Sequence, residues 1–145
     1  MSRCADVLLV EDDSNDVEVA RRAFRRSGLE ASLVVVHDGQ QALDYVFGSE
    51  EGESGDPRPV PRVIFLDLKL PGLNGWDVLR CIRSHVRTEE VPVVMVSSSD
   101  RESDIRESYR LGANSYLVKQ YQRERPGRYL ADAARYWLEL NRGPQ

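Results

Sequence analysis

The residues best equipped for chemistry stand where apolar runs stop. Val7-Leu-Leu-Val10 gives way to Glu11, Asp12 and Asp13, and Val63-Ile-Phe-Leu66 ends in Asp67. Val93-Val-Met-Val96 ends in Ser97 and Ser98, and Tyr116-Leu-Val118 ends in Lys119. Carboxylates gathered at close range repel one another unless a cation intervenes. All-oxygen ligands suit Mg²⁺, which uses few carboxylates and keeps several waters. A divalent cation beside a carboxylate, a hydroxyl and an ammonium suits an anion with several oxygens. A phosphoryl group fits: the cation and Lys119 neutralise its oxygens, Ser97 donates a hydrogen bond, and Asp67 is the nucleophile. Each residue alone has a plainer role. An Asp at a strand end often caps a helix, a part that suits Asp13 or Ser14 here. A lone Lys is usually solvated, and Ser98 and Ser99 suit a helix start. The joint pattern carries the functional reading.

These residues act together only if the fold brings the strand ends to one place. Ala5–Val10 reads as a buried strand, followed by a helix from Ser14 to Arg26 with Val17, Ala20 and Phe24 inward. Gly28 supplies its left-handed stop. Ser32–Val36 is a second strand, and Gly39–Phe47 a short helix with Ala42, Leu43 and Val46 inward. Residues 48–61, rich in Gly, Pro, Ser and acids, read as one exposed loop. Arg62–Asp67 is the third strand, 68–75 a turn and Trp76–Val86 a helix. Val91–Ser97 is the fourth strand. Ser99 and Glu102 match a capping box for a helix that ends at Gly112. Ser115–Lys119 is the fifth strand, and the last helix runs from about Pro126 to Asn141. Strands this continuously apolar are buried on both faces, as in parallel sheets. Right-handed crossovers then give a doubly wound α/β sheet. Its strands all end along one edge, where such sheets bind ligands.

The 145 residues suit one domain, residues 1–145. With 41% hydrophobic and 30% charged residues, the composition is that of a folded globular protein. The net charge of −4 argues against a sequence-independent hold on nucleic acid, which depends on Lys and Arg at phosphates. No apolar stretch is long enough to span a membrane or to serve as a signal peptide. Cys4 and Cys81 lack partners at metal-binding spacing and read as reduced thiols in a cytoplasmic protein.

Four motifs resemble the receiver domain of bacterial two-component response regulators. They are LLVEDD (8–13), VIFLDLKLPGLNG (63–75), VVMVSS (93–98) and GANSYLVK (112–119). They occur in the family's order and spacing, and the resemblance covers nearly the whole chain. It implies a flavodoxin-like (βα)5 fold with strand order 2-1-3-4-5, in which strands one and three are neighbours and Glu11, Asp12 and Asp67 converge. It also implies that Asp67 accepts a phosphoryl group from a sensor histidine kinase. Asp12 and Asp67 would bind Mg²⁺ directly, Glu11 through water, and Lys69 through its backbone carbonyl. Ser97 takes the switch hydroxyl position, Lys119 the conserved-type lysine position and Tyr116 the aromatic switch position. Trp76, just beyond the Asp67 loop, is placed to report binding by fluorescence. One departure stands out. The family usually has a cis proline after this lysine, and here Gln120 follows. A cis bond without proline costs about 3 kcal/mol, so a trans bond is expected. That departure, the long 48–61 loop and the ending Tyr136-Trp-Leu-Glu-Leu140 are similar to the single-domain regulators paired with phytochrome kinases.

The expectation is a phosphorylation-controlled binding module without an output domain, not an enzyme, although it would catalyse its own phosphoryl uptake and hydrolysis. The alternative is a phosphatase that passes through an aspartyl-phosphate. Such enzymes resemble one another in carrying a second Asp two residues after the nucleophile, and Lys69 stands there. A nucleotide-binding flavodoxin-like protein lacks support, since no GxGxxG or GxxxxGK occurs. The run Arg21–Arg26 reads as a solvated helix face or as a docking surface for an acidic partner. Along the last helix, Tyr129, Ala133, Tyr136 and Leu140 form one apolar stripe, and Leu130, Ala134, Trp137 and Leu138 a second. Two stripes predict burial on a second side, in a homodimer with Tyr129, Tyr136, Trp137 and Leu140 at its interface.

Overall fold

A computed structural model describes residues 6–48, 60–121 and 123–144. Cys4 and most of the 48–61 loop lie outside them. The elements alternate along the chain: β1 (Val7–Val10), α1 (Ser14–Arg26), β2 (Leu33–Val36), α2 (Gly39–Phe47), β3 (Val63–Asp67) and α3 (Gly75–Arg83). They continue with β4 (Val93–Ser97), α4 (Glu102–Arg110), β5 (Ser115–Val118) and α5 (Arg128–Arg135). All strand pairs are parallel, and the order is β2-β1-β3-β4-β5, as expected.

Two-residue alternation along each strand divides the core. Leu8, Val10, Ile64, Leu66 and Met95 face α2 and α3, where Ala42, Val46, Val78, Leu79 and Ile82 meet them. Val7, Leu9, Phe65, Val94 and Val96 face α1 and α5, against Ala20, Ala23, Phe24, Leu130, Ala131 and Ala134. Burial on both faces explains the unbroken apolar runs of β1, β3 and β4. α4 is docked differently. The only side chain it buries fully is Ser108, and ion pairs Glu102–Arg106 and Glu107–Arg110 lie along its surface.

Several boundaries differ from the sequence reading, each for a local reason. Asp13, not Ser14, caps α1, accepting the Asp16 N–H at 3.0 Å. A 3-10 turn at Glu30–Ser32 delays β2. α3 starts at Gly75 because Asn74 and Asp77 form a capping box, and it stops at Arg83. The Arg83 guanidinium then ties that end to Gly112 O at 2.9 Å, Val91 O at 2.8 Å and Asn114 Oδ1 at 2.7 Å. Val91 N–H closes a turn on Thr88 O at 3.1 Å, so β4 begins at Val93. The expected Ser99–Glu102 capping box does not form. Arg101 is the N-cap of α4 without a side-chain bond, and the Ser99 hydroxyl donates to Asp104 Oδ2 at 2.6 Å. Regular α-helix ends at Arg135, and Tyr136–Leu140 continue as a π-helical turn.

Gly75 fixes the relation between β3 and α3. Its N–H donates to Leu68 O at 2.9 Å, and a Cβ there would lie 2.3 Å from the carbonyl oxygen of Asp67. Backbone cannot yield as a flexible side chain can. Gly75→Ala should therefore cost about 2 kcal/mol of stability in urea unfolding. An unchanged midpoint would show that this close approach does not constrain the Asp67 loop.

Candidate functional site

Parallel register brings the polar strand ends level. Val10 pairs with Leu66, so Glu11 and Asp67 follow side by side. Asp67 pairs with Val96, one residue before Ser97, and Ser97 pairs with Val118, one residue before Lys119. The ladder runs on by one bond, Lys119 N–H to Ser97 O at 2.8 Å.

Lys119 is the centre of the site. Its ammonium lies 2.7 Å from Glu11 Oε1, 2.9 Å from Asp16 Oδ2 and 3.1 Å from Asp67 Oδ2, with its side chain only 9% exposed. The other Asp67 oxygen accepts the Lys69 N–H at 3.2 Å, which orients the carboxylate. Glu11 Oε2 accepts the Asp13 N–H at 3.0 Å. Burial raises the Glu11 carboxyl to about 7, opposed by the Lys119 hydrogen bond and helped by the Asp67 charge. For Lys119, burial pulls downward, but hydrogen bonds to Glu11 and Asp16 and the Asp67 charge outweigh it. The ammonium is held above the usual lysine range and stays charged.

Glu11, Asp12 and Asp67 each offer a carboxylate oxygen, and these oxygens lie within 4.8 Å of one another. Glu11 and Asp67 are buried and Asp12 is exposed, so the group opens to solvent on one side. An all-oxygen set carrying more negative charge than Lys119 offsets fits a hard divalent cation. Lys69, two residues after Asp67, lines a cleft of about 670 Å³ together with Trp76, Ser99, Arg101 and Asp104.

A chain of hydrogen bonds leads away from this edge. Buried Ser97 Oγ accepts the Ser99 N–H at 3.1 Å, and Ser99 O accepts the Tyr116 hydroxyl at 2.9 Å. Ser99 Oγ reaches Asp104, whose carbonyl accepts Ser108 Oγ at 2.8 Å. Ser108 Oγ in turn accepts the Trp76 ring N–H at 3.0 Å. Ser97 and half-buried Tyr116 are thus joined through one loop. The sequence reading missed Asp16 as a partner of Lys119. Its place in the first turn of α1 carried no signal of that pairing. On the last helix, Tyr136 and Leu140 are 46% and 72% exposed, while Trp137 is half-buried. Tyr129 instead lines a cavity beside Lys119.

The raised Glu11 value carries a sign. Its contribution to stability is complete below its ordinary 4.5 and is lost as pH rises through about 7. The contribution of Lys119, also raised, is lost only above its ordinary 10.5, outside that window. In chelator-containing buffer, the urea midpoint should carry a falling component between about pH 5 and pH 8 that Glu11→Gln removes. Identical pH slopes in the two proteins would exclude Glu11 as the titrating group.

Known proteins share this fold. The description "Response regulator receiver domain" matches residues 7–127. The probable methanogenesis regulatory protein FilR2 of Methanothrix harundinacea is 37% identical over 138 residues, covering 95% of this chain and 86% of that protein. The Mn²⁺-bound form of Rcp1, a response regulator of Synechocystis sp., superposes with a TM-score of 0.82 at 30% identity, covering 96% of this chain and 98% of that one. The phosphorylated cyanobacterial phytochrome response regulator RcpA gives 0.82 at 31% identity, covering 96% and 97%. Among the described residues no helix is long and apolar enough to cross a membrane. With five strands in the family's order and the acidic and basic ends meeting at one edge, the chain belongs to the receiver domains of response regulators.

Proposed function

We propose that Asp67 accepts a phosphoryl group from the phosphohistidine of a sensor histidine kinase of the phytochrome class, and that the acylphosphate changes the protein's binding surface. The observation that carries this reading is the Lys119 ammonium 3.1 Å from Asp67 Oδ2, beside carboxylates placed for a cation. Mg²⁺ would be held directly by Asp12 and Asp67, through water by Glu11, and by the Lys69 carbonyl, and when bound it offsets charge on the transferring group. An Asp67 oxygen attacks phosphorus, and the P–N bond breaks with its electrons returning to the imidazole. Lys119 then trades carboxylate partners for a phosphoryl oxygen. The Ser97 hydroxyl, which now accepts from Ser99, donates to another. Because Ser99 also holds the Tyr116 hydroxyl, movement of Ser97 reaches Tyr116 and the start of α4.

Residues 1–145 act in this reading as one cytoplasmic receiver domain that signals through its own surface, without nucleic acid. Support comes from Rcp1, of which this chain covers 98%. The phytochrome assignment rests on the likeness to RcpA. A phosphatase is disfavoured by Lys69, which stands where such enzymes need a second acid. The homodimer would use the exposed end of the last helix, Tyr136, Trp137 and Leu140.

Incubation with acetyl phosphate and Mg²⁺ should add one phosphoryl mass that hydroxylamine removes, and Asp67→Asn should abolish the gain. Normal labelling of that variant would move the acceptor elsewhere. Asp12→Ala should raise the Mg²⁺ midpoint read by Trp76 fluorescence. For the dimer, Tyr136→Glu with Leu140→Glu should shift sedimentation from dimer to monomer without unfolding. A wild-type chain that sediments as a monomer at micromolar concentration, phosphorylated or not, rules the interface out.

A further inference from the structure

The Lys119 ammonium has three N–H bonds and three carboxylate partners, Glu11, Asp16 and Asp67. Two of these partners have a second task. Glu11 and Asp67 belong with Asp12 to the group of carboxylates placed for a cation, and Asp16 stands outside it. Asp67 is also the proposed nucleophile, so its carboxylate is consumed by the transfer. Asp16 alone is left to serve Lys119. It is well anchored for this. It lies on the first turn of α1, its N–H donates to the N-cap Asp13 at 3.0 Å, and its neighbour Val17 is buried. Its carboxylate meets the ammonium at 2.9 Å, and its side chain is 21% exposed. Asp16, Glu11 and Lys119 line a cavity of about 230 Å³ together with Val19, Tyr129 and Leu130. Once Glu11 and Asp67 turn to a cation, an ammonium without Asp16 would have room to swing into that cavity, away from Asp67.

We infer that Asp16 is a positioning residue for phosphoryl uptake: it holds the Lys119 ammonium beside Asp67 while the other two carboxylates change partners. That role presupposes Asp67 as the acceptor. A group fixed before the reaction need not be ordered during it, which is how positioning raises a rate. The Asp16 charge by itself works the other way, since it disfavours an incoming anion. The sign of the effect separates the two roles. Loss of a positioning residue slows uptake, and loss of a bystander charge speeds it.

Asp16→Ala removes the carboxylate at a helical position that suits alanine, and Lys119 keeps two acids. Two readouts apply to the full chain. The first is proton exchange of the Lys119 ammonium, followed by NMR in Mg²⁺ without a phosphoryl donor. The second is the maximal rate of uptake from acetyl phosphate, with each variant brought separately to saturating Mg²⁺. Exchange should quicken and uptake slow, each by roughly threefold to tenfold, the effect of one hydrogen bond. In a Lys119→Ala background, where saturating Mg²⁺ still offsets the carboxylates, Asp16→Ala should slow uptake no further. Exchange at the wild-type rate, uptake that is unchanged or faster, or an equal loss in both backgrounds would each overturn the inference. The exchange measurement needs only the single variant, so it decides even where the Lys119→Ala chain does not fold. A wild-type chain that takes no phosphoryl group overturns the Asp67 reading and this role with it. A labelled wild type matched in rate by Asp16→Ala overturns this role alone.

Discussion

One cation among surplus carboxylates governs this molecule. The Lys119 ammonium touches Glu11, Asp16 and Asp67, with Asp12 close by. Removing one member of a buried ion pair leaves an uncompensated charge, a loss of about 3–5 kcal/mol in general experience. The cluster therefore persists only if every contributor arrives together. Glu11 and Asp67 come from the adjacent strands β1 and β3, Lys119 from the residue after β5, and Asp16 from the first turn of α1. Only a parallel sheet ends all its strands along one edge, so the topology and the charge cluster require one another. Carboxylates still outnumber the ammonium, and that surplus suits the place to a further cation and then to a group bearing negative oxygens.

The same constraint explains what was legible beforehand. β1, β3 and β4 are buried on both faces, so their apolar runs were visible and the polar residue ending each run marked the edge. α2 was read at its observed limits because Asp38 caps it and Gly48 ends it. Partners decided by side-chain competition were hidden. Ser99 and Glu102 have capping-box spacing, yet the Ser99 hydroxyl is taken by Asp104 and Glu102 pairs with Arg106. Asp16 stands in the first turn of α1, where the helix dipole favours an acid anyway. Nothing in its spacing revealed that Lys119, far along the chain, would need a third carboxylate. Tyr129 was placed with Tyr136 and Leu140 by helical spacing, but spacing does not tell which of two faces an aromatic ring will choose.

The connection from the site to the surface is polar and local. Ser97, Ser99, Tyr116, Asp104, Ser108 and Trp76 are joined through backbone and side-chain hydrogen bonds across β4, α4, β5 and α3. These bonds are directional and short in range, so a small displacement of one loop exchanges partners where an apolar contact would deform gradually. Tyr116 and Trp76, two members of this chain, also pack against the apolar layer that faces α2 and α3.

Ser108, a member of that chain, is the only fully buried side chain of α4. Release of an apolar face from a core exposes hydrocarbon to water and raises the heat capacity, which makes stability curve with temperature. Polar surface enters that term with the opposite sign, so a helix whose fully buried side chain is a serine contributes less of it. Docking of α4 should therefore curve less with temperature than the stability of the apolar core does.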